Sequence, residues 1–190
     1  MPKLVLASSS PYRQALLNRL QLSFECLSPD IDESPIPGEP PEQLVKRLSV
    51  AKAMALATSY PHHLIIGSDQ VAVHEGGILA KPGNYDAAFQ QLRSQSGKRV
   101  TFLTGIALLN SKTGDIDVDL VSTDVVFRQL SDEEIADYLK KDMPYDCAGS
   151  FKSESLGITL FKGLYSSDPT ALVGLPLIRL GKMLRDILNV

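Results

Sequence analysis

Leu64-Ile65-Ile66-Gly67-Ser68-Asp69-Gln70-Val71-Ala72-Val73 sets three large apolar residues before a small pair, a carboxylate and an amide. A short unbroken apolar run of this kind reads as a strand buried on both faces, as in the middle of an α/β sheet. Asp69 and Gln70 then stand where the strand leaves the core, and open sheets bind ligands in such crevices. A second reading makes Asp69 a cap or turn residue, as strand-end aspartates often are. Its neighbours in the chain decide between the two.

Downstream, Val71 to Val73 runs into Glu75-Gly76-Gly77 and Ile78 to Ala80 runs back, a hairpin pattern with a glycine turn. Folding there returns Lys81-Pro82 beside Gln70 and Val71, so a cation comes back within a few residues of Asp69. Upstream, Pro41 opens a helix to about Ser59 whose stripe is Leu44, Leu48, Ala51 and Ala55. Lys52 borders that stripe; helical lysines mostly face solvent, and the pattern alone puts Lys52 there. The loop from Pro29 to Pro41 carries Asp30, Asp32 and Glu33, which read as solvated acids or, beside a phosphate, as oxygen ligands for a divalent cation.

The chain begins with a strand, Lys3 to Ala7, followed at once by Ser8-Ser9-Ser10-Pro11-Tyr12-Arg13 and a helix to about Leu20. Ser10 suits the N-cap and Pro11 the first helical position, with Ala15, Leu16, Leu20 and Leu22 as the buried stripe. Helix N-termini favour anions. There is no glycine cradle and no Gly-Lys-Ser/Thr ending, so this is not a Walker loop, and a plain capped helix with an exposed arginine is the competing reading. Phe24 to Leu27 is a second short strand.

Beyond Lys81, Asn84 or Tyr85 begins a helix to about Arg93, and two long strands follow, Val100 to Asn110 and Asp117 to Arg128. Asp115, Asp117 and Asp119 lack the glycine and glutamate of a calcium loop and alternate with apolar residues, so they line the wet face of a strand. Ser131 and Glu134 form a capping box for a helix to about Lys141. The polar segment from Tyr145 to Gly157 reads as a ligand-facing loop, with Ile158 to Phe161 returning to strand. Val173-Gly174-Leu175-Pro176 opens a last amphipathic helix.

The 190 residues are 44% hydrophobic and 22% charged, ordinary for a globular protein, and carry a formal charge of −3. That balance gives no basic field for nucleic acid or an anionic membrane, so a bound anion depends on local donors. No window approaches the roughly 18–20 apolar residues of a membrane span, and the apolar run after Lys3 is too short for a signal peptide. Cys26 and Cys147 match no metal or redox spacing and read as small buried residues in a reducing, cytoplasmic setting. His62, His63 and His74 read as surface residues. No repeat or linker divides the chain, so residues 1–190 are expected to form one domain with two lobes around a central cleft.

Taken together, Leu6-Ala7-Ser8-Ser9-Ser10-Pro11-Tyr12-Arg13, Asp32-Glu33, Ala51-Lys52-Ala53, Gly67-Ser68-Asp69-Gln70, Lys81-Pro82, Ser96-Gly97, Thr104-Gly105, Asp146-Cys147-Ala148-Gly149 and Val173-Gly174-Leu175-Pro176 resemble the Maf family of nucleotide pyrophosphatases, in the family's order. The resemblance implies an α/β, Maf/ITPase-like fold, a mixed elongated sheet flanked by helices, usually dimeric, with a small-molecule nucleotide as its partner. It implies Asp69 as the catalytic acid–base residue, Ser8, Arg13, Lys52 and Lys81 on the phosphates, and Glu33 with Asp69 at a divalent cation, Mg²⁺ or Mn²⁺.

Family members acting on dTTP and UTP carry Arg, Thr and Gln at three selectivity positions, which correspond here to Tyr12, Gln70 and Glu154. These residues resemble the branch that acts on 7-methyl-GTP. A methylated purine is cationic, so a tyrosine face gains about 0.5–2 kcal/mol by cation–π attraction. A carboxylate accepts both N–H donors of the guanine edge, whereas uracil and thymine present carbonyl oxygens to it. Tenfold discrimination needs only about 1.4 kcal/mol. Another (d)NTP substrate, or a nucleotide-binding regulator of division or septum formation, are the competing functions.

Overall fold

Strand β1 (Lys3–Leu6) sets the alternation on which the first half of the chain is built. Val5 and Ala7 pack on one side with Ile65, Leu109, Ala53 and Leu56. Leu4 and Leu6 pack on the other with Ile66, Ile106, Leu16, Leu17 and Leu180. Both faces are covered, which is why these strands are apolar without interruption. A computed structural model describes residues 3–188 and gives seven strands in one mixed sheet, with five α-helices among the described residues. The strand order is β2 (Phe24–Cys26), β1, β3 (His63–His74), β5 (Arg99–Asn110), β6 (Ile116–Phe127) and β7 (Phe161–Ser166), with β4 (Gly77–Leu79) on β3. β1 runs parallel to both β2 and β3, while β4 on β3 and β7 on β6 are antiparallel.

The chain divides into two compact units. The first comprises residues 1–70, 103–121 and 168–190. It contains α1 (Pro11–Asn18), α2 (Pro41–Ala55) and α5 (Leu177–Leu188). Ser10 caps α1 by accepting from the Arg13 amide, as its sequence predicts, and Pro11 takes the first turn. The buried pair on this short helix is Leu16 and Leu17; Ala15 and Leu22, expected inside, are exposed. Helix α2 ends at Ala55 rather than near Ser59, and turns occupy residues 56–59. Helix α5 is anchored by the fully buried Asp168, whose carboxylate accepts from the Ile178 and Arg179 amides and from Thr170.

The second unit comprises residues 71–102 and 122–167, with α3 (Tyr85–Gln95) and α4 (Asp132–Asp142). The β3–β4 hairpin pairs Ala72 with Leu79 and His74 with Gly77. Its two turn residues, Glu75 and Gly76, both have positive φ, the two-residue geometry that matches strand twist. The capping box of Ser131 and Glu134 forms as expected. Four phenylalanines, Phe102, Phe127, Phe151 and Phe161, meet edge to face at 4.8–5.6 Å and make the core of this unit.

Several side chains depart from what the sequence pattern predicts. Phe151, inside the polar loop, is a core residue, and Ile158 lies in a 3₁₀ turn before β7 rather than in a strand. His74 is buried, not at the surface, with its ring nitrogens against the carbonyls of Ser94 and Arg99. Cys26 is exposed, because β2 is the end strand of the sheet and its residues are covered on few sides, and Cys147, in the loop after α4, is half-buried. Among the described residues no helix is long and apolar enough to cross a membrane.

Candidate functional site

The two faces of β3 carry the site, and strand periodicity assigns the work. Gly67 and Asp69 share the face turned toward α2. A Cβ on Gly67 would run into the Ser49 carbonyl, and one on Gly105 of β5 would lie 2.5 Å from the Val45 carbonyl. Two glycines therefore let the backbone of α2 rest directly on the sheet. Ser49, the small residue at this contact, closes its own hydroxyl onto the Val45 carbonyl at 2.6 Å. One turn further along α2, Lys52 reaches Asp69, two residues past Gly67.

Lys52 Nζ lies 2.6 Å from Asp69 Oδ1 and 2.8 Å from Glu33 Oε1. Lys52 and Asp69 are 6% and 7% exposed, so the pair is almost out of water, whereas Glu33 reaches in from an exposed loop. The helix pattern put Lys52 in solvent; close approach of α2 buries it instead. A buried ion pair of this kind holds geometry more than it adds stability, since desolvation offsets much of the attraction. Only one Asp69 oxygen is bonded to Lys52, and the other is free of that contact.

Arg13 stands at the start of α1. Its Nε donates to the Gly174 carbonyl at 2.8 Å, and among the described residues this is the guanidinium's hydrogen bond to protein. Burial lowers Arg13 from the ordinary arginine pKa while the Asp69 and Glu33 carboxylates raise it, which places both acids near the guanidinium. Arginine remains charged throughout. Ser8 is buried just past β1, and its hydroxyl accepts from the Ser10 amide at 3.1 Å.

The opposite face of β3 presents Ser68 and Gln70. Ser68 Oγ donates toward the Gly105 and Gly174 carbonyls. The Gln70 amide is bonded to Thr104 Oγ1 and to the carbonyls of Ala171 and Leu172. Ser68, Thr104, Gly174 and Asp168 form a supporting frame to which sequence reasoning gave no role. For the first three the signal was present, since they fall inside motifs already quoted; for Asp168 the only hint was its Asp-Pro-Thr setting ahead of a helix.

Ser8, Tyr12, Arg13, Glu33, Lys52, Asp69 and Gln70 thus all belong to the first unit, and Lys81 and Glu154 to the second. Lys81 is exposed, two residues beyond the end of β4. Glu154 is exposed as well, with Ser153 donating to its carboxylate at 3.3 Å. Tyr12 is half-buried on the first turn of α1.

The Maf-like protein family matches residues 3–187. The chain belongs to the Maf family. Among Maf relatives, the 7-methyl-GTP pyrophosphatase of Pseudomonas syringae pv. tomato is 59% identical over 184 residues, 97% of this chain and 96% of that one. The 7-methyl-GTP pyrophosphatase of Pseudomonas aeruginosa is 59% identical over 186 residues, covering 98% and 97%. Among solved structures, the Staphylococcus aureus Ham1 protein aligns with a TM-score of 0.47 and 15% identity over 66% of this chain and 71% of that one.

Proposed function

We propose that this Maf protein hydrolyses 7-methyl-GTP to 7-methyl-GMP and diphosphate, clearing a modified nucleotide from the pool. The observation that carries the reading is a carboxylate, Asp69, nearly excluded from water and fixed through one oxygen by Lys52, with a second carboxylate on the same ammonium. Supporting the base assignment are relatives of that name, 59% identical across almost the whole chain.

Water attacks the α phosphorus, its proton goes to the Asp69 oxygen not bonded to Lys52, and the bond to the bridging oxygen of the β phosphate breaks. Arg13, held at Nε, offers its remaining N–H donors to the phosphates, in a reaction governed by positioning and charge. Ser8 and Lys81 add donors. Arg13 and Lys52 only balance Asp69 and Glu33, which leaves Lys81 alone as surplus positive charge in this residue set, short of what a triphosphate carries. A divalent cation fits this shortfall. Asp69 and Glu33 are the residues that would hold it. Mg²⁺ and Mn²⁺ suit such a pair, since they take one or two carboxylates beside water and phosphate. When bound, the cation supplies neutralisation of the triphosphate and a more acidic water. Tyr12 stacks on the cationic purine and Glu154 accepts from the guanine edge.

The test is diphosphate release by the purified chain with Mg²⁺ from 7-methyl-GTP, GTP, UTP and dTTP. The expected result is a preference for 7-methyl-GTP of about tenfold or more, and a loss of about 10²–10⁴-fold in Asp69→Asn with nucleotide binding retained. A pyrimidine preference would remove the base assignment, and intact nucleotides throughout would remove the enzyme.

A further inference from the structure

Gln91, in the middle of α3, joins two segments that carry separate parts of the site. Its side-chain nitrogen donates to the Ala80 carbonyl at 2.7 Å, and Ser150 Oγ donates to its side-chain oxygen at 2.6 Å. A backbone carbonyl can only accept. That turns the nitrogen toward Ala80 and leaves the oxygen for the hydroxyl, so both ends of the amide are accounted for. Ala80 directly precedes Lys81, and Ser150 stands four residues ahead of Glu154. One side chain thus ties the neighbour of the phosphate-side lysine to the root of the loop that carries the base-side carboxylate. All of these residues lie in the second unit.

The turn that Gln91 holds is not one the chain adopts freely. Gly149 and Ser150 both have positive φ, 78° and 62°, and left-handed backbone is uncommon for serine, so surrounding contacts must secure it. Helix α3 supplies them from one face. Gln91 takes Ser150, and one turn on, the Gln95 side-chain nitrogen donates to the Gly149 carbonyl at 3.1 Å. From there the chain has little slack on its way to Glu154. Phe151 is locked among the phenylalanines, and the Lys152 amide donates to the Tyr138 hydroxyl at 3.1 Å. A Cβ on Gly157 would lie 2.4 Å from the Lys152 carbonyl, so residues 152–157 close on themselves. A second tie runs from the Gly83 amide to the Tyr145 carbonyl at 2.9 Å. It keeps the two segments together when Gln91 is changed, so a substitution there shifts Lys81 and Glu154 without releasing them.

We propose that Gln91 is a positioning residue for both ends of the nucleotide: it sets the spacing between Lys81, which meets the phosphates, and Glu154, which meets the guanine edge. Its two arms are separable. The Ala80 arm acts on the triphosphate and is indifferent to the base, and the Ser150 arm acts on the choice of base. This rests on the reading above of Lys81 and Glu154.

Two variants cut one arm each. Gln91→Glu still accepts from the Ser150 hydroxyl but sets a carboxylate oxygen against the Ala80 carbonyl. Ser150→Ala removes the hydroxyl and leaves the bond to Ala80. Inorganic tripolyphosphate, which has no base, is titrated calorimetrically at fixed Mg²⁺ into wild type and each variant. Discrimination is read as the ratio of kcat/KM for 7-methyl-GTP to that for UTP. Gln91→Glu is expected to weaken tripolyphosphate binding about 3- to 10-fold, the scale of one hydrogen bond, with the ratio held within about twofold. Ser150→Ala is expected to lower the ratio about 3- to 10-fold, with tripolyphosphate binding held within about twofold. In a Lys81→Met background Gln91→Glu is expected to add less than about twofold, whereas direct repulsion of the phosphates by the new charge would persist there and overturn the proposal. In a Glu154→Gln background Ser150→Ala is expected to leave the ratio within about twofold. Either variant tests its own arm if the other fails to fold. A merely structural glutamine lowers thermal stability in both variants and moves neither readout, which overturns the proposal. So do variants that each move both readouts together, or a wild type that does not bind tripolyphosphate. A wild type that binds tripolyphosphate yet cleaves no nucleotide overturns the pyrophosphatase reading alone, because the coupling of Gln91 to Lys81 is still measured by the titration.

Discussion

A lysine and an aspartate that bury each other create an asymmetry between single and double substitution. Lys52→Met leaves Asp69 charged in a place that water scarcely reaches, and the expected loss of stability is about 3–5 kcal/mol by chemical denaturation. Adding Asp69→Leu removes the stranded charge, and the double variant is expected to regain at least about 2 kcal/mol over Lys52→Met while having no activity. A double variant no more stable than the single one would mean that Asp69 is solvated without its lysine. Cysteine reactivity gives a second reading of burial at this scale. The Cys147 thiol is pushed up to about 12, first by burial and then by the neighbouring Asp146 carboxylate, whose Oδ1 lies 3.5 Å from Sγ. Only the thiolate attacks alkylating agents. At pH 7.5, iodoacetamide is therefore expected to label the exposed Cys26 first, with Cys147 labelling faster as pH rises and still not levelling off at pH 10. Mass spectrometry of timed samples checks both.

At the scale of elements, the contact of α2 with β3 and β5 decides whether there is a site at all. Gly67→Ala puts a methyl group into the backbone of α2 at Ser49, where no flexible side chain can give way. The helix has to lift, which carries Lys52 away from Asp69. The expected cost is about 2–3 kcal/mol, together with loss of diphosphate release, read by thermal unfolding and by the same assay. This contact also explains what was legible in the sequence. Strands such as Leu64–Ile66, the capped starts at Ser10 and Ser131 and the helix start at Tyr85 are written in local pattern, and each forms as read. Burial of Lys52 is not local: it depends on two glycines, one in β3 and one in β5, meeting one serine on α2. The same holds for His74, enclosed by carbonyls about twenty residues downstream, and for Phe151, whose partners come from three other segments. The site residues were found through motif resemblance, and their contacts with one another were not, because hydrogen bonds such as Gln70 to Ala171 join positions a hundred residues apart.

Across the whole molecule, the chain leaves the first unit and re-enters it twice, and its last segment completes what its first began. Leu175, Leu177, Leu180, Met183 and Leu184 cover the same face of the sheet as Leu4, Leu6, Ile66, Ile106 and Leu108. Those strand residues have 7% exposure or less, and once the final helix is gone they keep only the part of this cover that Leu16 and Leu17 of α1 supply. The first unit thus cannot close until the C-terminus has been made, a long-range dependence that slows folding relative to local contacts. A chain ending at Pro176 is expected to lose its cooperative thermal transition and to bind a hydrophobic dye. Asp168→Ala, in the full chain, is a graded version of the same experiment. It takes away the carboxylate that accepts from the Ile178 and Arg179 amides and from Thr170, leaving those two amides of helix α5 unpaired, and it is expected to cost about 2 kcal/mol. The decisive comparison is tripolyphosphate binding by this variant near 15 °C, where it remains folded. Helix α5 and the turn whose Gly174 carbonyl holds Arg13 share the Asp168–Thr170 anchor, so affinity is expected to fall along with stability; unchanged affinity would mean that the turn keeps its shape without the anchor.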